Sequence, residues 1–166
     1  MSAHRVLSRA IAAGGARLLR SRTLMRAPIW IYRAGLGFLL GSRVLMLEHI
    51  GRKTGLPRQV VLEVIDHPTP EIYVVPSGFG DRAQWFRNVQ ANPRVRVYAS
   101  GRAPALATAR VLGQQEADRA LAAYRRRHPR AWVTFKPVVE ETLGSRISDT
   151  NTELPMVELQ LDAPRS

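Results

Sequence analysis

The chain contains no cysteine, which excludes a disulfide framework, a thiolate nucleophile and any zinc site built on sulfur. Acid is missing from the first 47 residues, where eight arginines stand (Arg5, Arg9, Arg17, Arg20, Arg22, Arg26, Arg33 and Arg43); Glu48 is the first carboxylate. The remaining residues carry 17 basic against 13 acidic side chains, so their share of the net +12 is only +4. The basicity therefore bears on partners of an N-terminal arm and not on the fold. An unbroken apolar run is missing too. The segment 28–47, PIWIYRAGLGFLLGSRVLML, approaches the length of a membrane span but is interrupted by Arg33, Arg43 and three glycines. An arginine at mid-bilayer costs at least roughly 2.5 kcal/mol, so no transmembrane helix is expected. The usual catalytic constellations are also lacking. His4, His49, His67 and His128 show no metal-ligand spacing, and no G-x-S-x-G elbow, Walker loop or G-x-G-x-x-G occurs. Glu140 and Glu141 diverge by about 100° on a helix, which makes them surface charge rather than a catalytic pair.

What is present describes one domain. An apolar fraction of 45% in 166 residues is too high for disorder. Residues 3–21 read as a basic amphipathic helix, weakened by Gly14-Gly15. A secretory signal is disfavoured because Arg17 interrupts the apolar stretch. A transit peptide, an interfacial helix on anionic lipid and a solvated tail stay open. Residues 29–40 predict a short helix over a barrel opening or at an interface. Strands are predicted at 44–50, 59–65 and 72–76, with turn chemistry between them at Gly51, Gly55-Leu56-Pro57 and 66–70. A short helix over 83–91 stops at Asn92-Pro93. A hairpin follows over 94–99 and 103–112, then helices over 114–127 and 130–143, and a last strand over 154–161 in which Pro155 marks a strand start or an edge. Strands dominate without βαβ alternation, which predicts an α+β domain around a small barrel.

Two segments suit an anionic, planar ligand. Gly51-Arg52-Lys53-Thr54-Gly55-Leu56-Pro57-Arg58 sets three cations in a turn whose glycines would let backbone N–H groups approach an oxyanion. Ser77-Gly78-Phe79-Gly80 is a second glycine-rich bend, and it leads into Gln84-Trp85-Phe86-Arg87-Asn88, with an indole and side-chain amides. Taken alone, a charged turn of this kind is about as often a plain solvated turn.

These pieces, with Ala91-Asn92-Pro93-Arg94-Val95, Gly101 and Leu154-Pro155-Met156-Val157, keep the order and spacing of a known family over roughly residues 28–161. The chain resembles the deazaflavin-dependent nitroreductases of actinobacteria, a branch of the flavin-reductase-like split β-barrels. The resemblance implies an α+β split β-barrel of six or so mostly antiparallel strands with flanking helices over residues 28–162, behind a basic arm at 1–27. It implies coenzyme F420, an 8-hydroxy-5-deazaflavin, held by Arg52, Lys53, Thr54 and Arg58, by Ser77, Gly78, Phe79 and Gly80, and by Gln84, Trp85 and Asn88. Hydride would pass to a nitroaromatic, quinone or other conjugated acceptor, with Ser77 as the proton donor nearest by family position. Tyr32, Glu63, Trp132 and Phe135 would line the acceptor pocket, and no metal is implied. Two departures stand out. Gly78 replaces a common lysine, a loss that Arg82 could offset, and Glu63 stands where tyrosine is frequent. The alternatives are a lipid- or acyl-binding barrel without enzymatic activity and a flavin mononucleotide (FMN) reductase. Nucleic acid is not an expected partner, since no recognition helix or stacking motif accompanies the charge. An anionic membrane surface is one, through residues 1–40. The expected setting is cytoplasmic, with peripheral attachment to the inner membrane face, as a monomer or homodimer.

Overall fold

The computed structural model describes residues 43–163. The basic arm, the helix expected over 29–40 and Tyr32 lie outside the described residues. Seven strands form one sheet: β1 (Val44–Ile50), β2 (Pro57–Glu63), β3 (Asp66–Thr69), β4 (Ile72–Pro76), β5 (Arg94–Ala99), β6 (Ala105–Val111) and β7 (Met156–Leu161). Every neighbouring pair is antiparallel, in the order β2-β1-β5-β6-β7-β4-β3.

That order dictates a roll. β2 and β3 are the outermost strands, yet only Val64 and Ile65 separate them in sequence. In a flat sheet they would stand six spacings, roughly 28 Å, apart. The link from Glu63 to Asp66 reaches only about 11 Å. The sheet must therefore curl until its edges approach. The link is tied at both sides, Val64 N–H donating to Arg43 O (2.7 Å) and Ile65 N–H to Val74 O (2.9 Å).

The period of two along the strands fills the two faces of this half-barrel differently. Leu45, Leu47, Val75, Val95, Val97, Ala107, Val157 and Leu159 face a common interior. Helix α1 (Gln84–Ala91) plugs it with Trp85, Phe86 and Val89. The intervening residues Val74 and Met156 face outward, where α2 (Gln114–Arg127) and α3 (Pro129–Leu143) cover them with Leu121, Tyr124 and Val139. Each such large side chain contributes roughly 1.5–3 kcal/mol by leaving water, so the helices are held chiefly by their apolar stripes. Their ends obey local rules. Glu116 accepts from Gly113 N–H at the start of α2 (2.9 Å), and Arg125, Arg126 and Arg127 oppose the dipole at its end. Pro129, the first residue of α3, has no N–H to waste there.

The predicted α+β barrel is present, with seven strands rather than six or so. β2 starts at Pro57 rather than Gln59, and the last strand starts at Met156, with Pro155 just outside it. The additional strand is β3, formed by residues read as a turn. Its Pro68 is tolerated because β3 is an edge. The His67 ring stacks on Tyr73 at 4.0 Å and its Nδ1 is 2.7 Å from Ile72 O, which fastens the segment to β4.

Candidate active site

The cationic corner joins β1 to β2. A side chain at Gly51 would bring its Cβ within 2.7 Å of Thr54 Oγ1, and Gly55 has φ +67°, so both glycines are required by the turn. The corner spends its amides on itself. Gly51 N–H donates to Leu56 O (2.9 Å), Gly55 N–H and Thr54 N–H donate to Gly51 O (2.8 and 3.3 Å), and Leu56 N–H donates to Thr54 Oγ1 (3.3 Å). Arg52 N–H donates to Asn88 Oδ1 at 3.1 Å. Only the Lys53 amide lacks an acceptor among the described residues. The expected nest of backbone donors is thus absent, because closing so tight a turn consumes them. An anion would have to be held here by side chains.

The three cations are not equivalent. Arg52 Nη1 donates to Gln84 Oε1 and to Asn88 Oδ1, both at 3.0 Å. Gln84 and Asn88, one turn apart on α1, therefore clamp Arg52 instead of presenting free amides. Lys53 and Arg58 have no hydrogen-bond or ion-pair partner among the described residues.

Behind the corner lies a residue to which the sequence reading gave no role. His49 is 4% exposed and follows Leu45 and Leu47 on the same face of β1. That alternation was the one sequence signal that it points inward. Its Nδ1 is 3.1 Å from Asn88 Nδ2. Because Asn88 Oδ1 already faces Arg52 donors, its amide nitrogen must donate to His49, which makes Nδ1 an acceptor and the ring neutral. Burial, with the Arg58 guanidinium second, lowers the His49 pKa to about 4.

The Ser77–Gly80 bend is closed by Ser77. Its hydroxyl donates to Gly80 O (2.6 Å), its N–H donates to Pro155 O (2.8 Å), and Gly80 N–H returns to Ser77 O (2.8 Å). Ser77 is fully buried and lines neither cavity described below. In this geometry it fixes the loop rather than donating a proton to a ligand. Gly80 is buried as well, whereas the Gly78 and Phe79 amides have no acceptor among the described residues. Gly78 O accepts from Thr142 Oγ1 at 2.6 Å. Arg82 donates to Thr142 O and Leu143 O (3.2 and 3.4 Å), capping the end of α3.

Two cavities adjoin these elements. The larger, about 920 Å³, is lined by the corner residues Arg52, Lys53, Thr54 and Arg58, by His49, Gln84 and Asn88, and by Phe79, Trp85 and Val60. The smaller, about 530 Å³, has a mainly apolar wall including Leu62, Pro76, Phe135, Val138 and Val139, with Arg43 and Glu63 at its polar end. Val60, Phe79, Trp85 and Thr142 line both, so the two cavities adjoin. Trp85 is also core, 7% exposed and edge-on to Phe86 at 5.9 Å.

The polar end of the smaller cavity is built from distant segments. Tyr124 Oη on α2 donates to Glu63 Oε1 at 2.7 Å, and Arg43 Nη2 lies 3.5 Å from the same oxygen. Burial, then the neighbouring carboxylate, pushes the Tyr124 phenol up to about 12. Phe135 and Glu63 both line the smaller cavity. Trp132 does not. Its ring packs against Tyr124 and Phe135 (6.4 and 6.1 Å) under the Arg125 guanidinium, because that face of α3 turns toward α2. No cluster of metal-binding side chains and no helix long and apolar enough to span a membrane occurs among the described residues.

No match was found among curated proteins. Among solved structures, the chain is similar to an F420-H2 dependent reductase, at 19% identity over 71% of this chain and 94% of that one, with a TM-score of 0.49. It is also similar to a protein of unknown function from Agrobacterium tumefaciens (18%, over 83% and 56%, TM-score 0.51). The heme storage protein HutZ of Vibrio cholerae gives 15% identity over 84% and 92%, with a TM-score of 0.51. None of these likenesses speaks for more than the fold. The profile of F420H(2)-dependent quinone reductases matches residues 24–159, which includes both cavities. The chain therefore belongs to that family, oxidoreductases whose coenzyme is the deazaflavin F420.

Proposed function

We propose that the larger cavity holds the reduced deazaflavin and the smaller one a quinone or similar conjugated acceptor, and that hydride passes directly between the two where the cavities meet, at the residues that line both. The observation that carries this is the shared lining, Val60, Phe79, Trp85 and Thr142, common to a cation-edged cavity and a mainly apolar one. The residues present fit the coenzyme. Lys53 and Arg58, cations without a protein partner among the described residues, suit its phosphate and oligoglutamate tail. The Phe79 amide is a further donor without an acceptor among the described residues, and Phe79, Trp85 and Val60 offer apolar surface for a planar ring. Bound there, the coenzyme supplies two electrons together as a hydride. The protein's part is to orient two planar molecules and to keep water from between them. Trp85 and Phe79, which line both cavities, would serve that task. Arg52, Gln84, Asn88 and Ser77 hold the corner and the bend in position.

The test is a fluorescence titration of the purified protein with the deazaflavin coenzyme and, separately, with FMN. Oxidation of the reduced coenzyme is then followed with and without 2-methyl-1,4-naphthoquinone. Deazaflavin binding and quinone-dependent oxidation are expected. Tighter binding of FMN, or oxidation at the same rate without quinone, would sink the proposal.

A further inference from the structure

Glu63 adds a carboxylate to the lining of a cavity whose wall is otherwise mainly apolar. It is the last residue of β2, opposite Val44 in register. Its Oε1 is occupied by two donors, Tyr124 Oη at 2.7 Å and Arg43 Nη2 at 3.5 Å. A carboxylate has about four acceptor positions. Its Oε2 has no partner among the described residues, and no polar side-chain atom is buried without one, so Oε2 is open. The carboxylate is also held in place. The Tyr124 ring that anchors it is 1% exposed and wedged among His128, Trp132 and Phe135 at 5.3–6.4 Å. Arg43 offsets the charge, leaving a fixed hydrogen-bond acceptor more than a bare anion. The remaining wall, including Leu62, Pro76, Phe79, Phe135, Val138 and Val139, suits a flat carbon skeleton.

We propose that this cavity selects conjugated acceptors carrying a hydrogen-bond donor, a hydroxyl or amine on the ring system, and that Glu63 Oε2 receives it. The inference rests on the reading of the smaller cavity as the acceptor site. A fixed, partly desolvated acceptor discriminates because a ligand without a donor leaves it unpaired.

The test needs no turnover. 6-Hydroxy-2-methyl-1,4-naphthoquinone and its 6-methoxy counterpart, which cannot donate, are titrated calorimetrically into the full-length protein with oxidised coenzyme present. The hydroxy compound is expected to bind roughly tenfold tighter, the effect of one charge-assisted hydrogen bond at a partly exposed site. Glu63→Gln is nearly isosteric and makes the sharper test. Tyr124 and Arg43 are both donors, so the amide must turn its oxygen toward them and its NH2 toward the cavity. The preference should then vanish or reverse in favour of the methoxy compound, which a merely structural role would not produce. Equal affinities in the wild type, or a preference unchanged in Glu63→Gln, would overturn the inference while leaving the coenzyme site intact. Failure of either quinone to bind also overturns it. Coenzyme affinity measured on the same sample then shows whether the reading of the larger cavity falls with it.

Discussion

Acidification should destabilise this protein through His49 well before its carboxylates protonate. The ring is 4% exposed and accepts a proton only near pH 4 in the folded chain, against 6.5 when unfolded. Between those values the unfolded chain binds a proton that the folded chain refuses. Stability therefore rises with pH across this window, is fully present above it, and is lost as the pH falls from 6.5 toward 4. At about 1.4 kcal/mol for each tenfold change in proton affinity, the gap amounts to about 3 kcal/mol. By pH 5 about 2 kcal/mol of it should be gone, a drop of roughly 5–10 °C in Tm for a domain of this size. Glu116, held down to about 2 mainly by Arg110, contributes in the same direction, but only below the ordinary carboxylate range, so pH 5 keeps it out. The assay is urea unfolding at pH 7 and pH 5 of the wild type and of His49→Asn. The variant keeps an acceptor for Asn88 Nδ2 but cannot titrate. Its loss between the two pH values should be smaller by about 2 kcal/mol. Equal losses in both proteins would refute the reasoning. Bound phosphate should narrow the wild-type loss, because an anion beside Arg58 offsets the repulsion that helps keep His49 neutral.

The free and engaged cations of the corner should separate in mutagenesis. Lys53→Ala should weaken coenzyme binding by about 1.5–3 kcal/mol, less in high salt, with an unchanged Tm. Arg52→Ala should lower Tm as well, since it breaks the bonds to Gln84 and Asn88; fluorescence titration and thermal melts check both, and an Lys53→Ala protein of normal affinity would remove that cation from the site. Trp85→Ala should cost about 3–5 kcal/mol of stability in chemical denaturation, as for a core tryptophan, and also weaken coenzyme binding. A loss of stability with normal affinity would make Trp85 core alone. Deleting residues 1–26, with six of the eight N-terminal arginines, should abolish co-sedimentation with anionic vesicles at low salt, at about 1 kcal/mol per basic residue near the surface. Coenzyme affinity should survive the deletion, and a full-length protein that ignores such vesicles would end the membrane proposal.

Much of this architecture is written locally. Alternation in Leu45-Leu47 and Val95-Val97, the stop at Asn92-Pro93 and the break at His128-Pro129 are near-neighbour effects, and they located six strands and three helices. Asp66–Thr69 escaped because its pairing depends on Val74 and Tyr73, reached only after the chain has turned back. The site divides along the same line. The Gly51–Arg58 corner announces three cations, but which of them can meet a ligand is decided elsewhere. Arg52 is engaged because Gln84 and Asn88 stand one turn apart on α1, and the corner's amides are spent because the turn is tight. Ser77 offers a hydroxyl on paper and loses it to Gly80 in the fold. Glu63 acquires its orientation from Tyr124, 61 residues later. Side-chain chemistry is thus legible in sequence, whereas availability is a property of the partners that the fold brings up. A cation or hydroxyl in a motif counts toward a site only after its protein partners have been subtracted. Among the described residues that subtraction leaves the Lys53 and Arg58 side chains, the Lys53, Gly78 and Phe79 amides and one oxygen of Glu63, all on residues that line two adjoining cavities.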